Sequence, residues 1–111
     1  MIVRELIASG KFAVLNEDGD KEKTITVPFC CDLLSIAMSK APAGAAWVTV
    51  MGNVNTIAVA TLAEVSAVII AEGMAVDAFA LEKAKEQGII VLATRSPIFE
   101  TANWIYRRLY E

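Results

Sequence analysis

The chain contains no histidine. That absence removes Ser-His-Asp and Cys-His nucleophile systems, zinc sites that use imidazole, and phosphoryl transfer through histidine. Its only two cysteines are the adjacent pair Cys30-Cys31. A metal or iron–sulfur cluster normally takes four ligands, so such a site would have to be shared between copies. Positive charge is also scarce: 10 basic residues stand against 13 acidic ones, for a net charge of −3. That balance argues against a nucleic acid or an anionic membrane as partner. The one adjacent basic pair, Arg107-Arg108, suits the negative end of a helix dipole. Neither a phosphate-binding glycine loop nor a G-x-G-x-x-G run is present. Long apolar runs are missing too. The longest uncharged stretch, Ala41 to Ala63, is broken by Pro42, Gly44, Gly52, Asn53 and Asn55, so no spanning helix is expected. The opening Met1-Ile2-Val3-Arg4-Glu5 lacks the basic-then-apolar order of a secretory signal, which predicts a cytoplasmic location.

What the chain does have is core-forming material. Over 111 residues, 56% are hydrophobic and 21% charged, enough for one folded domain spanning 1–111. Val3 to Ser9 reads as a short helix stopped by Gly10, and Phe12 to Leu15 as a short strand. A charged turn from Asn16 to Lys23 follows, then a β-rich run from Thr24 to Phe29 whose Pro28 suits a sheet edge. Asp32 is placed to cap a helix running to about Lys40. The second half is more regular. Strands are expected at Ala46–Met51, Ala67–Ala71 and Ile89–Ala93. They alternate with an Ala-rich helix to about Glu64, a helix capped by Asp77 and stopped by Gly88, and a terminal helix with Pro97 at its first position.

Near-continuous apolar strands alternating with helices predict an α/β fold, a mostly parallel sheet with helices on both faces. The direction in which the N-terminal third joins that sheet stays open. In such sheets ligands bind beyond the carboxyl ends of the strands. The loops expected to meet there carry Gly52, Asn53 and Asn55; Glu72 and Gly73; and Thr94, Arg95 and Ser96. Helix N-termini attract anions, and Arg95 can hold a phosphate or carboxylate in bidentate fashion. A purely structural reading competes: Asn55 and Ser96 as helix caps, Gly52 and Gly73 as turn residues, and Arg95 paired with Glu72. Cys30-Cys31 likewise admits a reactive or metal-binding reading beside that of packing as small hydrophobes. On the terminal helix, Ile98, Ala102, Ile105 and Leu109 form a core face, while Trp104 lies off it, at the sheet edge or in a subunit contact.

From Val48 to Ile105, the succession Gly52-Asn53-Val54-Asn55, Ser66 through Gly73, Gly88 through Leu92 and Ser96 through Ala102 resembles the DRTGG domain family. Similar domains occur inside phosphotransacetylases and CBS-containing pyrophosphatases, and the N-terminal domain of HPr kinase/phosphorylase is related in fold. The opening, from Val3 to Leu6 and on through Cys30 to Leu34, resembles short stand-alone members encoded beside iron-only hydrogenase subunits. Aligned on the family's namesake residues, Asn53-Val54 replace the Asp-Arg pair and Ala71-Glu72-Gly73 the Thr-Gly-Gly, so that Gly73 alone is kept. The resemblance implies a regulatory or ligand-sensing domain, frequently homodimeric, with no catalytic activity and no cofactor of its own.

The expected function is therefore a non-catalytic, homodimeric regulatory domain that binds a small anion or nucleotide. An accessory protein-interaction role in an anaerobic redox (hydrogenase) system is the alternative, and a thiol or metal role of Cys30-Cys31 stands behind both.

Overall fold

The order of secondary structure follows the apolar pattern. A computed structural model describes residues 1–111 and places α1 at Val3–Ala8, β1 at Ala13–Asn16, β2 at Pro28–Cys30, α2 at Leu34–Lys40 and β3 at Ala46–Thr49. Then come α3 at Val54–Ala63, β4 at Ala67–Ile70, α4 at Ala78–Gln87, β5 at Val91–Ala93 and α5 at Ile98–Tyr110. No helix is long and apolar enough to cross a membrane.

The five strands form one sheet in the order β1-β5-β4-β3-β2. From β2 to β5 every step is parallel and moves one place in the same direction. Right-handed crossovers repeated in one direction must lay their helices on one face. That face is built from Ala37 of α2, Ile57 and Ala60 of α3, and Ala80 and Ala84 of α4, packed on Trp47, Val68, Ile70 and Val91. The alternate strand residues Ala46, Val48, Ala67, Ile69 and Leu92 point the other way, against Val3 and Leu6 of α1 and Ile105 of α5. Both faces are thus covered, which is why β3 and β4 are buried at every position.

β1 joins antiparallel to β5, with Ala13 opposite Ala93 and an irregularity between Val14 and Asn16. Asn16, read from the sequence as the start of the turn, is instead buried as the last residue of β1. Its Nδ2 donates to the Ile89 carbonyl at 2.7 Å. The β-rich run from Thr24 mostly stays outside the sheet. Ile25 N–H donates to the Met1 carbonyl and Thr26 N–H to that of Gly44, both at 2.9 Å. Only Pro28–Cys30 pair with β3, at the sheet edge where a residue without an N–H is tolerated.

Helix ends follow the sequence in part. Asp77 caps α4 by accepting from Ala80 N–H at 2.7 Å, and Gly88 ends it at φ +69°. Asp32 does not cap α2. Leu33 holds the cap position without a side-chain bond, and Asp32 Oδ1 accepts instead from the Thr49 hydroxyl at 2.6 Å and from Val50 N–H at 3.1 Å. The hydroxyl of Thr49 is wholly buried at the end of β3, and an unpaired buried hydroxyl costs more than a missing cap.

Candidate functional site

Parallel β3, β4 and β5 point their carboxyl ends in one direction, and the loops that follow them are tied together by backbone. Glu72 and Gly73 leave β4 in successive left-handed conformations, φ +63° and +68°. Glu72 N–H donates to the Ser96 carbonyl and Gly73 N–H to that of Thr94, each at 3.0 Å. Thr94 Oγ1 in turn accepts from Ser96 N–H at 3.1 Å. Glu72, Gly73, Thr94, Arg95 and Ser96 are therefore held as one unit.

Gly52, Asn53 and Asn55 stand apart from that unit. The Gly52 carbonyl accepts from Asp77 N–H at 3.0 Å, so their loop docks on the far end of the β4–α4 connection. Asn53, rather than Asn55, caps α3: its Oδ1 accepts from Asn55 N–H at 3.0 Å and Thr56 N–H at 3.2 Å. Ser96 caps nothing either, because Pro97 occupies the cap position of α5 and has no side-chain acceptor. Glu72 fills the gap: its Oε2 accepts from Ile98 N–H at 3.1 Å. The expected Arg95–Glu72 pair does not form, since the carboxylate is spent on the positive end of α5.

The consequence is electrostatic. The N-termini of α4 and α5 already carry the carboxylates of Asp77 and Glu72, so anion attraction at this end rests on side-chain cations. Arg95 is exposed and has no ion-pair partner. It lines a shallow depression of about 370 Å³ together with Gly73, Met74, Thr94 and Lys11. Lys11 escapes a sequence reading because its position depends on the antiparallel direction of β1, which brings the start of that strand to the carboxyl end of β5. A lysine directly before a strand adjoining this crevice is the one signal available.

The cysteines lie at the opposite edge of the sheet, on β2 and just after it. Cys30 is exposed rather than packed away, contrary to the reading of both thiols as buried hydrophobes. It is not acidified: although its surface is open to solvent, desolvation by the groups around the sulfur raises its pKa, and nearby Asp32 and Cys31 add to the effect. Cys31 is half-buried, its thiol donating to the Leu33 carbonyl at 3.3 Å and its carbonyl accepting from Trp47 Nε1 at 3.0 Å. No three Cys, Asp or Glu side chains stand together to hold a metal ion.

The DRTGG domain profile matches residues 5–108, nearly the whole length of the chain. The chain belongs to the DRTGG domain family. Among solved structures it is similar to the CBS and DRTGG domains of the regulatory region of Clostridium perfringens pyrophosphatase, determined in complex with the activator diadenosine tetraphosphate. The TM-score is 0.76 at 14% identity over 95% of this chain, a likeness of fold. This DRTGG domain spans 46% of that relative's chain. No curated protein matches it in sequence.

Proposed function

We propose that this DRTGG domain is a regulatory, non-catalytic module that binds a small phosphate-bearing anion, such as a nucleotide, between Lys11 and Arg95. The observation that carries this reading is Arg95, presented by a loop cross-tied to Glu72 and Gly73 and left without an acidic partner. A guanidinium so placed offers bidentate recognition of phosphate. The diadenosine tetraphosphate bound by the clostridial regulatory region lends support to a nucleotide as the physiological class. Of the residues singled out in the sequence, Gly73, Thr94, Arg95 and Ser96 belong to this site, with Glu72 as the carboxylate that limits its charge. Gly52, Asn53 and Asn55 lie on the adjacent loop, where Asn53 caps α3, and are left out of this site.

Thermal unfolding in orthophosphate, ATP and diadenosine tetraphosphate tests the reading. A ligand present at about a hundred times its Kd adds roughly 2.7 kcal/mol to stability. The gain should vanish in Arg95→Ala. Equal stabilisation of the variant would move the site elsewhere, and no stabilisation by any of these anions would overturn the reading.

Contact with protein is a second reading, and the outer face of α5 favours it. Phe99 is 76% exposed, and the rings of Tyr106 and Tyr110 pack at a tilt with centroids 4.7 Å apart at the surface. Aromatic residues concentrate at interfaces, whether with a second copy or with a protein of an anaerobic redox system such as a hydrogenase. Sedimentation of the purified domain, with Phe99→Ser as control, distinguishes a homodimer from a monomer.

A further inference from the structure

Most cations of this acidic chain are already engaged. Arg4, Lys21, Lys83, Lys85 and Arg107 each meet a carboxylate. Lys23 donates to the Glu64 and Val65 carbonyls at 3.0 and 3.2 Å. Apart from Lys40 at the end of α2, the cations left over are Lys11, Arg95 and Arg108, and these lie along one continuous track. Lys11 lines the depression beside Arg95 and also stands 6.0 Å from the centroid of the Trp104 ring. Arg108 lies 4.4 Å from that same ring. Trp104 and Arg108 line a second depression of about 390 Å³, shared with Arg107 and Glu111. Phe12 fixes the indole edge-to-face at 5.6 Å, so the ring is a rigid bridge between two hollows and not a mobile cover.

We infer that the Arg95 site extends along Lys11 and Trp104 to Arg108 and takes a linear polyphosphate chain, free or carried by a nucleoside. The inference rests on the reading of Arg95 as an anion site and adds the length of the anion. At about 1.5 Å of rise per residue, Arg108 lies roughly 15 Å along α5 from Ile98, whose N–H is held by Glu72 next to Gly73 of the first hollow. A single phosphate cannot reach both ends, whereas a chain of phosphates carries repeated charge along the whole track. Arg107 contributes less, because Glu111 holds its Nε at 3.2 Å. Trp104 holds the side chains of Lys11 and Arg108 by attraction of each cation to the ring, so a passing polyanion competes with the indole for them.

The experiment compares orthophosphate, pyrophosphate, tripolyphosphate and ATP by calorimetry, in the wild-type domain and in Arg95→Ala and Arg108→Ala, with Trp104 emission recorded alongside. Affinity is expected to rise at each added phosphate. Arg108→Ala should weaken tripolyphosphate about tenfold while leaving orthophosphate unchanged, because a charge-assisted contact at the far end is lost. Arg95→Ala should weaken both. Tryptophan emission, to which the fully buried Trp47 adds a constant background, should change more with tripolyphosphate, which engages both cations beside Trp104, than with orthophosphate, which reaches Lys11 alone. ATP binding as tightly as tripolyphosphate assigns the track to the phosphate chain alone, and tighter binding adds a nucleoside contact. Orthophosphate binding with no gain from length would overturn this inference and leave the Arg95 site standing; failure of every anion would remove both. A single-stranded oligonucleotide binding more tightly than tripolyphosphate would overturn the inference in favour of nucleic acid.

Discussion

The carboxylate of Glu72 crosses from the β4–α4 loop to accept the Ile98 N–H at 3.1 Å, capping a helix that Pro97 cannot cap. One residue thereby ties two loops together and places negative charge beside Arg95. Glu72→Gln keeps an oxygen for Ile98 but removes that charge. It should cost up to about 1 kcal/mol through the lost dipole interaction while raising affinity for orthophosphate severalfold. Chemical denaturation and calorimetry on the same variant check both effects, which are opposite in sign.

Asp32 serves the fold in place of its expected role as a cap. Asp32→Ala leaves the proton of the buried Thr49 hydroxyl without an acceptor, although its oxygen still accepts from Met51 N–H at 3.3 Å, and should cost about 1–3 kcal/mol. Thr49→Val in the same chain should restore part of the loss, because it removes the orphaned group. A double-mutant cycle by denaturation reads the coupling.

Much of this architecture is legible in the amino-acid order. The runs Ala46–Met51, Ala67–Ala71 and Ile89–Ala93 announce a parallel sheet because strands buried on both faces need apolar residues at successive positions. Asp77 and Gly88 announce the ends of α4 because their partners lie within one helical turn. The direction of β1 is not legible, since the short apolar run Phe12–Leu15 carries no mark of strand polarity. The contribution of Lys11 hangs on it. Asp32 misleads because Thr49, distant in sequence, outcompetes the local cap, and Glu72 misleads because the Ile98 N–H takes the carboxylate expected to pair with Arg95. The site is accordingly less visible than the fold, because loops that follow different strands are joined only in three dimensions.

Gly52 is required by crowding alone, its φ being unexceptional. A Cβ there would collide with the Ala75 carbonyl oxygen and lie 2.9 Å from Val76 Cα. Gly52→Ala should destabilise by about 1–3 kcal/mol, as overpacking does. At Gly10 a Cβ meets nothing within 4 Å but φ is +73°, so Gly10→Ala should cost about 1–2 kcal/mol from the backbone alone. Melting temperatures of the two variants give the comparison.

Desolvation around the sulfur raises the Cys30 pKa, with Asp32 and Cys31 adding to it. The folded state therefore keeps this proton longer than the unfolded chain, whose thiol titrates near pH 8.5. The stabilisation is complete below that pH and is lost as pH rises through the folded-state value. Stability of the wild type should fall relative to Cys30→Ser over this alkaline range, and the two should run parallel at neutral pH. Alkylation of Cys30 by iodoacetamide at neutral pH should be slower than that of a free cysteine.

The two borders of the sheet are both poor templates. β2 is three residues long and begins with Pro28, which offers no donor, and β1 breaks register between Val14 and Asn16. A strand from another molecule finds no regular ladder on either side. Growth by strand addition, the route toward fibrils, is thus obstructed at both borders of the sheet. Association at high concentration is directed to helices and loops, where it can be regulated.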